Sequence, residues 1–187
     1  QAARIDADTR FLWRFPSRRV EAEAIRDSIL FVSGKLNLKS GGRGFDFFNQ
    51  RGGLSDYHPK ETFEANGWRR MIYAHKVRMQ AVDIFGAFDC PDAGQMKPRR
   101  TRSITPVQSL SLLNSPFANR QAGFFAERVR REAGNDTAAQ VKHAFRLATS
   151  REPNARELAT LKSLANQHVL EQACRVLFNT SSFLMIP

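Results

Sequence analysis

Long apolar runs are missing from this chain. No stretch approaches the about 18 consecutive apolar residues that a membrane helix needs, so nothing in it reads as a bilayer span. Cysteine is scarce too: Cys90 and Cys174 lie far apart and outside any C-x-x-C, which leaves one disulfide or two buried thiols open. A covalent haem would need C-x-x-C-H, and that motif is absent. The four histidines, His58, His75, His143 and His168, are scattered with no H-E-x-x-H and no pair one helical turn apart, so no metal site is expected. His143 falls beside the apolar face of a helix and reads as a packing or surface histidine. No G-x-S-x-G elbow marks a nucleophilic serine. Tyrosine and tryptophan number two each against 15 phenylalanines, a balance that suits core packing better than a platform for stacking bases or sugars.

The largest shortage is of acid. With 18 Asp and Glu against 29 Lys and Arg, the net charge is +11 and the isoelectric point about 10.6. Such a surplus favours an anionic partner: nucleic acid, an acidic polysaccharide, an anionic membrane surface or an acidic neighbouring domain. A solvated basic face with no specific ligand is the competing explanation. The opening "QAARIDADTR" has neither the apolar core nor the cleavage site of a secretion signal. A chain starting at Gln1 reads as cut from a longer one.

What is present is ordinary for a globular protein: 187 residues, 42% hydrophobic and 25% charged, enough for one full core. The first strong helix is expected over about Ser17–Gly34, with Ser17 as N-cap, Gly34 as stop and Ile25, Ile29 and Val32 on one stripe. Its other face carries Arg18, Arg19, Glu21, Glu23, Arg26 and Asp27, mixed in sign and so expected to be solvated or salt-bridged. From Lys35 to Gly67 the periodicity vanishes. "KSGGRGFDFFNQRGG" reads as a loop tucked onto the core by Phe45, Phe47 and Phe48, and Ser40 to Gly44 lacks the pattern of a phosphate-cradling loop. Trp68 to Arg78 alternates around Met71, Tyr73 and Val77 as a short strand would, with a helix as the competing assignment. Its partner is sought in the glycine-rich segment or outside the chain.

The second half is helical. Thr105-Pro106-Val107-Gln108 makes a capping box with proline at the first helical position, opening a helix through about Asn114. Further helices are expected from about Phe117 to Ala133, from Asp136 with Val141, Ala144, Phe145 and Ala148 on one face, and from the Asn154–Glu157 box with Leu158, Leu161, Leu164 and Ala165. A last one runs over about Val169–Phe178, before the apolar tail "SSFLMIP". Short links such as "SREPN" imply antiparallel neighbours. The expected architecture is mainly α: an antiparallel helical bundle with long irregular loops and room for one short strand pair. It divides into a loop-rich part over 1–104 and a helical part over 105–187 of one domain.

Candidate chemistry concentrates in "FDCPDAGQMKPRRTRSITPVQSLSLLN", Phe88 to Asn114. Asp89 and Asp92 could serve as an acid–base pair if their environments separate their pKa values, but aspartates in loops also hold turns by accepting backbone N–H bonds. Lys97, Arg99, Arg100 and Arg102 directly precede a helix N-terminus, where an anion would meet side-chain and backbone donors together. Alternatively these arginines pair with Asp89, Asp92 or Glu23 and close the loop onto the first helix.

"LWRFPSRRVEAEAIRDSILFVSGKLN", the stretch just quoted, "HAFRLATSREPNARELATL" and "CRVLFNTSSFLMI" together resemble the C-terminal domain of unknown function, the planctomycete-specific domain, of planctomycete cytochrome-c-like surface proteins. The resemblance runs from about Leu12 to the end. Its signature falls here on Arg19, Glu23, Arg26, Asp27, Thr105, Pro106, Gln108 and Asn114; Ser103-Ile104 and Ser109 depart from the family pattern. The resemblance implies an exported protein at the periplasm or cell surface, often with haem c in another segment and encoded near sulfatases and polysaccharide-degrading enzymes. It carries no catalytic residue. It implies no cofactor in this stretch, with upstream domains of the same protein and a sulfated or acidic polysaccharide as candidate partners. A carbohydrate-active hydrolase or lyase using Asp89 and Asp92 is the alternative. Nucleic-acid binding ranks third, since charge alone favours it.

Overall fold

The computed structural model describes residues 2–48, 60, 63–76, 86–91, 94, 96 and 98–186. Eight α-helices fall among them: α1 (Ala2–Ile5), α2 (Ala22–Val32), α3 (Pro106–Asn114), α4 (Pro116–Ala133), α5 (Thr137–Thr149), α6 (Ala155–Gln167), α7 (Leu170–Phe178) and α8 (Ser181–Leu184). Two short strand pairs complete the mainly α architecture. β1 (Arg18–Arg19) runs antiparallel to β4 (Met185–Ile186), and β2 (Phe45–Asp46) runs parallel to β3 (Ala74–His75).

The C-terminal helices follow their local chemistry. Ser115 Oγ accepts from Ala118 N–H at the start of α4, and Asp136 Oδ2 accepts from Ala139 N–H at 2.8 Å at the start of α5. At α6 the box closes both ways, Glu157 N–H donating to Asn154 Oδ1 at 2.9 Å and Asn154 N–H to Glu157 Oε2 at 2.8 Å. The α4 helix packs most broadly on α7, burying Phe125, Ala126 and Val129 against Cys174, Leu177 and Phe178. Phe125 and Phe178 stack with centroids 5.8 Å apart. The predicted face of α5 is buried at Val141, Ala144 and Phe145, with Ala148 at its edge.

The first helix begins later than its sequence suggests. Ser17 is not its N-cap; Glu21 holds that position, and Arg18–Arg19 are extended because their backbone pairs with Met185–Ile186. Val20 N–H adds a bond to Leu184 O at 2.8 Å, so a contact across most of the chain overrides the local helical pattern. Ile25, Ile29 and Val32 are buried as the stripe predicts. At the other end Gly34 takes φ +73°, the left-handed conformation a helix stop favours, and Arg128 Nη1 from α4 donates to Phe31 O and Val32 O.

Among its described residues the loop-rich part has little regular structure outside α2. Phe45, Phe47 and Phe48 are all buried, and Phe63 meets Phe47 edge to face at 5.1 Å. Among the described residues the stretch after Trp68 is not one strand: Arg69 makes an isolated parallel bridge with Asn37, Met71–Tyr73 form a single 3-10 turn, and Ala74–His75 pair with the glycine-rich segment. Val77 and Arg78 lie outside the described residues.

Candidate functional site

Asp89 sits at a turn, with φ +59° and its N–H donating to Gly86 O at 3.2 Å. Aspartate tolerates this left-handed conformation better than most residues. Its carboxylate is crowded with donors: Arg19 Nη2 at 2.7 Å, Ser103 N–H at 2.7 Å and Ser103 Oγ at 2.9 and 3.0 Å from the two oxygens. Burial alone would raise the Asp89 pKa, but the Ser103 bonds and the Arg19 charge outweigh it and hold the carboxyl below its ordinary value.

The same knot engages the rest of Arg19. Its Nε donates to Ser103 O, Nη1 to Val20 O and Nη2 to Phe88 O, while its guanidinium lies 5.2 Å from the Phe88 ring centre. Gln108 Nε2 reaches back from the first turn of α3 to Ser103 O at 3.1 Å and Ser103 Oγ at 2.9 Å, and Gln108 Oε1 accepts from Thr105 N–H at 3.3 Å. The predicted capping box forms, with Pro106 opening the helix. Asn114 closes α3 on the surface. Arg19, Asp89, Ser103 and Gln108 are therefore one latch joining β1, the turn and α3.

A second cluster lies at the start of α2. Arg100 Nη1 donates to Glu23 Oε2 at 2.8 Å and Glu21 Oε2 at 3.1 Å, and Arg102 Nη2 is 3.6 Å from Glu21 Oε1. The arginine loop is closed onto the first helix through the acids of α2. Arg99 is exposed and has no ion-pair partner among the described residues. Asp92 and Lys97 lie outside the described residues. Glu23 also receives Lys76 Nζ at 3.4 Å, and Lys76 Nζ donates to Cys90 Sγ at 3.0 Å. Burial would raise the Glu23 pKa, yet Arg100 and Lys76 bring it below the ordinary value. Burial, helped by Glu23, pushes the Cys90 thiol up against the opposing Lys76 bond. Cys90 and Cys174 are both free thiols, so the disulfide left open by the sequence does not form.

The third cluster is the least expected from the sequence. Arg26 lies on the face assigned to solvent or salt bridges, yet it is 0% exposed. Its guanidinium carbon stands 5.0 to 5.6 Å from the ring centres of Phe45, Phe47, Phe63 and Phe117. Arg26 Nη1 donates to Arg69 O at 2.9 Å and Nη2 to Gly67 O. Burial pushes its pKa down to about 10, with Asp27 at 3.6 Å opposing, so it stays charged at neutral pH. Asp27 Oδ1 accepts from Met71 N–H at 2.8 Å; burial raises its pKa.

Arg69 and Lys76 escaped the sequence reading. Neither belongs to a spaced motif, and only the folding-back of the loop brings them to α2. His143 Nε2 meets Glu132 Oε2 at 2.8 Å, a surface pairing. Among the described residues no three His, Cys, Asp or Glu side chains gather as metal ligands, and no helix is long and apolar enough to cross a membrane.

Together these clusters define a helical domain in which one helix, α2, binds a loop-rich lobe through its charged face. Over residues 1–165 the chain matches the model of PSD1, a family of proteins of unknown function (DUF1553), and it belongs to that family. The matched region starts earlier than Leu12 and stops within α6, so the tail carries no part of it. No curated protein and no solved structure matches the chain.

Proposed function

We propose that the chain is a non-catalytic binding or assembly module with an anionic partner. That partner is an upstream domain of the same protein or a sulfated or acidic polysaccharide, in an exported, cytochrome-c-associated protein at the periplasm or cell surface. One observation carries the proposal: 29 cations face 18 acids, and Glu23, Asp89, Glu132, Glu157 and Glu171 are already held by the chain's own cations. The surplus cannot be neutralised internally, so it remains available to an external anion.

The arginine loop enters this account in narrowed form. Arg100 and Arg102 approach Glu21 and Glu23, which leaves Arg99 as the uncommitted cation among the loop's described residues. Retention of the wild-type chain on immobilised sulfated and carboxylated polysaccharide, at near-physiological salt, tests the polysaccharide arm. Retention on both charged matrices and not on a neutral one is expected; equal elution from all three would sink it. Equal retention of Arg99→Ala/Arg100→Ala would remove the loop from the account.

The carbohydrate-active alternative rests on Asp89 and Asp92. An Asp89 carboxylate already accepting from Arg19 and Ser103, with a lowered pKa, is poorly suited to donate a proton near neutral pH, so this alternative ranks lower.

A further inference from the structure

The glycine-rich loop dismissed as a phosphate cradle forms one wall of a cavity of about 780 Å³, lined by Lys39, Arg43, Lys60 and Arg69 among others. That volume is in the range of small-molecule sites. The loop's shape is fixed by Arg69, whose guanidinium donates to Lys39 O at 3.0 Å, Gly41 O at 2.6 Å and Arg43 O at 2.6 Å while lying 3.9 Å from the Tyr73 ring centre. Gly41 N–H donates to Tyr73 Oη at 2.9 Å. Gly44 lies so close to the Tyr73 carbonyl that a Cβ there would come within 2.4 Å of it. The wall is thus built before any ligand arrives.

Its charge is unbalanced. Arg69 is 8% exposed and, among the described residues, has no carboxylate partner; the three carbonyls supply dipoles and no net charge. Arg26, a second buried guanidinium, donates to the Arg69 carbonyl, and its nearby acid, Asp27, also faces Arg70. Lys39, Arg43 and Lys60 form no ion pair with the described residues. The acids on the cavity wall are engaged elsewhere: Asp46 with His75 at 3.0 Å and Glu64 with Arg120 at 3.6 Å. Buried charge of one sign beside an open cavity calls for a counter-charge from outside.

We propose that this basin binds a small ligand bearing oxyanions, carboxylate or sulfate and phosphate esters, with Lys39, Arg43 and Lys60 contacting the anion and Arg69 holding the loop that presents them. This deepens the proposal of an anionic partner and rests on it. Isothermal titration of the wild-type chain with oligogalacturonate, dextran sulfate oligomers, inorganic phosphate and neutral dextran separates carboxylate, sulfate ester and free anion as sources. Binding of at least one charged probe and none of dextran is expected. Lys39→Ala/Arg43→Ala/Lys60→Ala should weaken it by at least about tenfold, as lost hydrogen bonds to charged groups would. The single Arg43→Glu variant, which leaves the backbone carbonyl under Arg69 in place, should weaken it in the same direction and guards against misfolding of the triple variant. Undiminished binding in both basin variants overturns the basin alone and leaves the anionic partner standing. Failure of the wild type to bind any charged probe overturns the basin as an oxyanion site and leaves an upstream domain as the partner.

Discussion

Replacing Arg26 with methionine keeps much of the side-chain volume inside the cage of Phe45, Phe47, Phe63 and Phe117 but removes both bonds that tie α2 to the loop carbonyls of Gly67 and Arg69. Two opposing effects decide the outcome. Burial disfavours the charge: lowering an arginine pKa from 12.5 to about 10 corresponds to roughly 3 kcal/mol against the guanidinium, which methionine would relieve. Against this, each buried carbonyl left without a donor costs about 1–3 kcal/mol, and the attraction to the four rings, about 2 kcal/mol when desolvated, is lost as well. The net expectation is a loss of about 2–3 kcal/mol for Arg26→Met. Arg26→Ala should lose more, because it adds a cavity. Urea unfolding read by far-UV circular dichroism gives the total, and Trp68 fluorescence in a Trp13→Phe background reports the loop side, since Trp68 stands between Gly67 and Arg69. The Trp68 transition should move to lower urea at least as far as the helical one. A midpoint for Arg26→Met equal to or above wild type would refute the view that these bonds hold the lobe in place.

The other expectations concern the latch, the caps, the acids and the thiols. Asp89→Asn and Arg19→Met should each destabilise by about 2 kcal/mol, with the double variant well short of additive in a thermodynamic cycle, because they break one interaction. Asn154→Ala should cost about 1 kcal/mol by removing the side-chain half of the α6 box, measurable as a shifted thermal midpoint. Glu23, Asp89, Glu132, Glu157 and Glu171 are held below their ordinary values, Glu157 at about 2 by Arg151 and the Asn154 N–H. A carboxyl lowered by folding stabilises fully above its unfolded pKa and loses that contribution as pH falls through the folded one. Urea midpoints should therefore drop progressively from about pH 4.5 toward 2, the raised Asp27 opposing the trend; a flat profile there would contradict the pairing scheme. Finally, a thiol reagent should label Cys90 in the native state and Cys174 only on unfolding, since Cys174 is 0% exposed and burial raises its pKa.

The parts legible in the sequence are those whose causes are local. Asp136, Asn154 and Gly134 mark helix ends because a cap is a bond over three or four residues or one backbone conformation, and each lies where the pattern predicts. In the loop-rich half the apolar stripe of α2 and the Phe45–Phe48 cluster were legible, but most of its bonds were not, since they span the chain: Arg19 to Asp89, Arg26 to Gly67, Asp27 to Met71. Charge patterning leaves the face that carries Arg26 either solvated or buried in salt bridges, because an amphipathic helix ordinarily turns its ions outward or pairs them. What buries Arg26, beyond its ion pair with Asp27, is a second polar surface, the loop backbone, whose carbonyls need donors as much as the guanidinium needs acceptors. Ser17 failed as a cap for a related reason, its neighbours being drawn into pairing with Met185 and Ile186.

Arg19, Glu23, Arg26 and Asp27, where the resemblance places its signature, share one kind of work. Arg19 reaches the carbonyls of Phe88 and Ser103, Arg26 those of Gly67 and Arg69, and Asp27 the N–H of Met71; Glu23 anchors Arg100 and Lys76. Where the described residues of the lobe have so little secondary structure of their own, their buried backbone must be satisfied elsewhere, and a helix lined with forked, charged side chains can do this at several points at once. A signature of this kind is therefore a record of architecture. Groups so committed have little freedom to bind a partner or move a proton, because each alternative partner would first have to replace a buried bond. On the proposed anionic partner, recognition falls to cations the scaffold does not use, and among the described residues Lys39, Arg43, Lys60 and Arg99 answer that description, three of them around a single cavity. On that proposal the residues of the resemblance's signature and those that engage the partner are different sets, and variants in the two should separate cleanly into losses of stability and losses of binding.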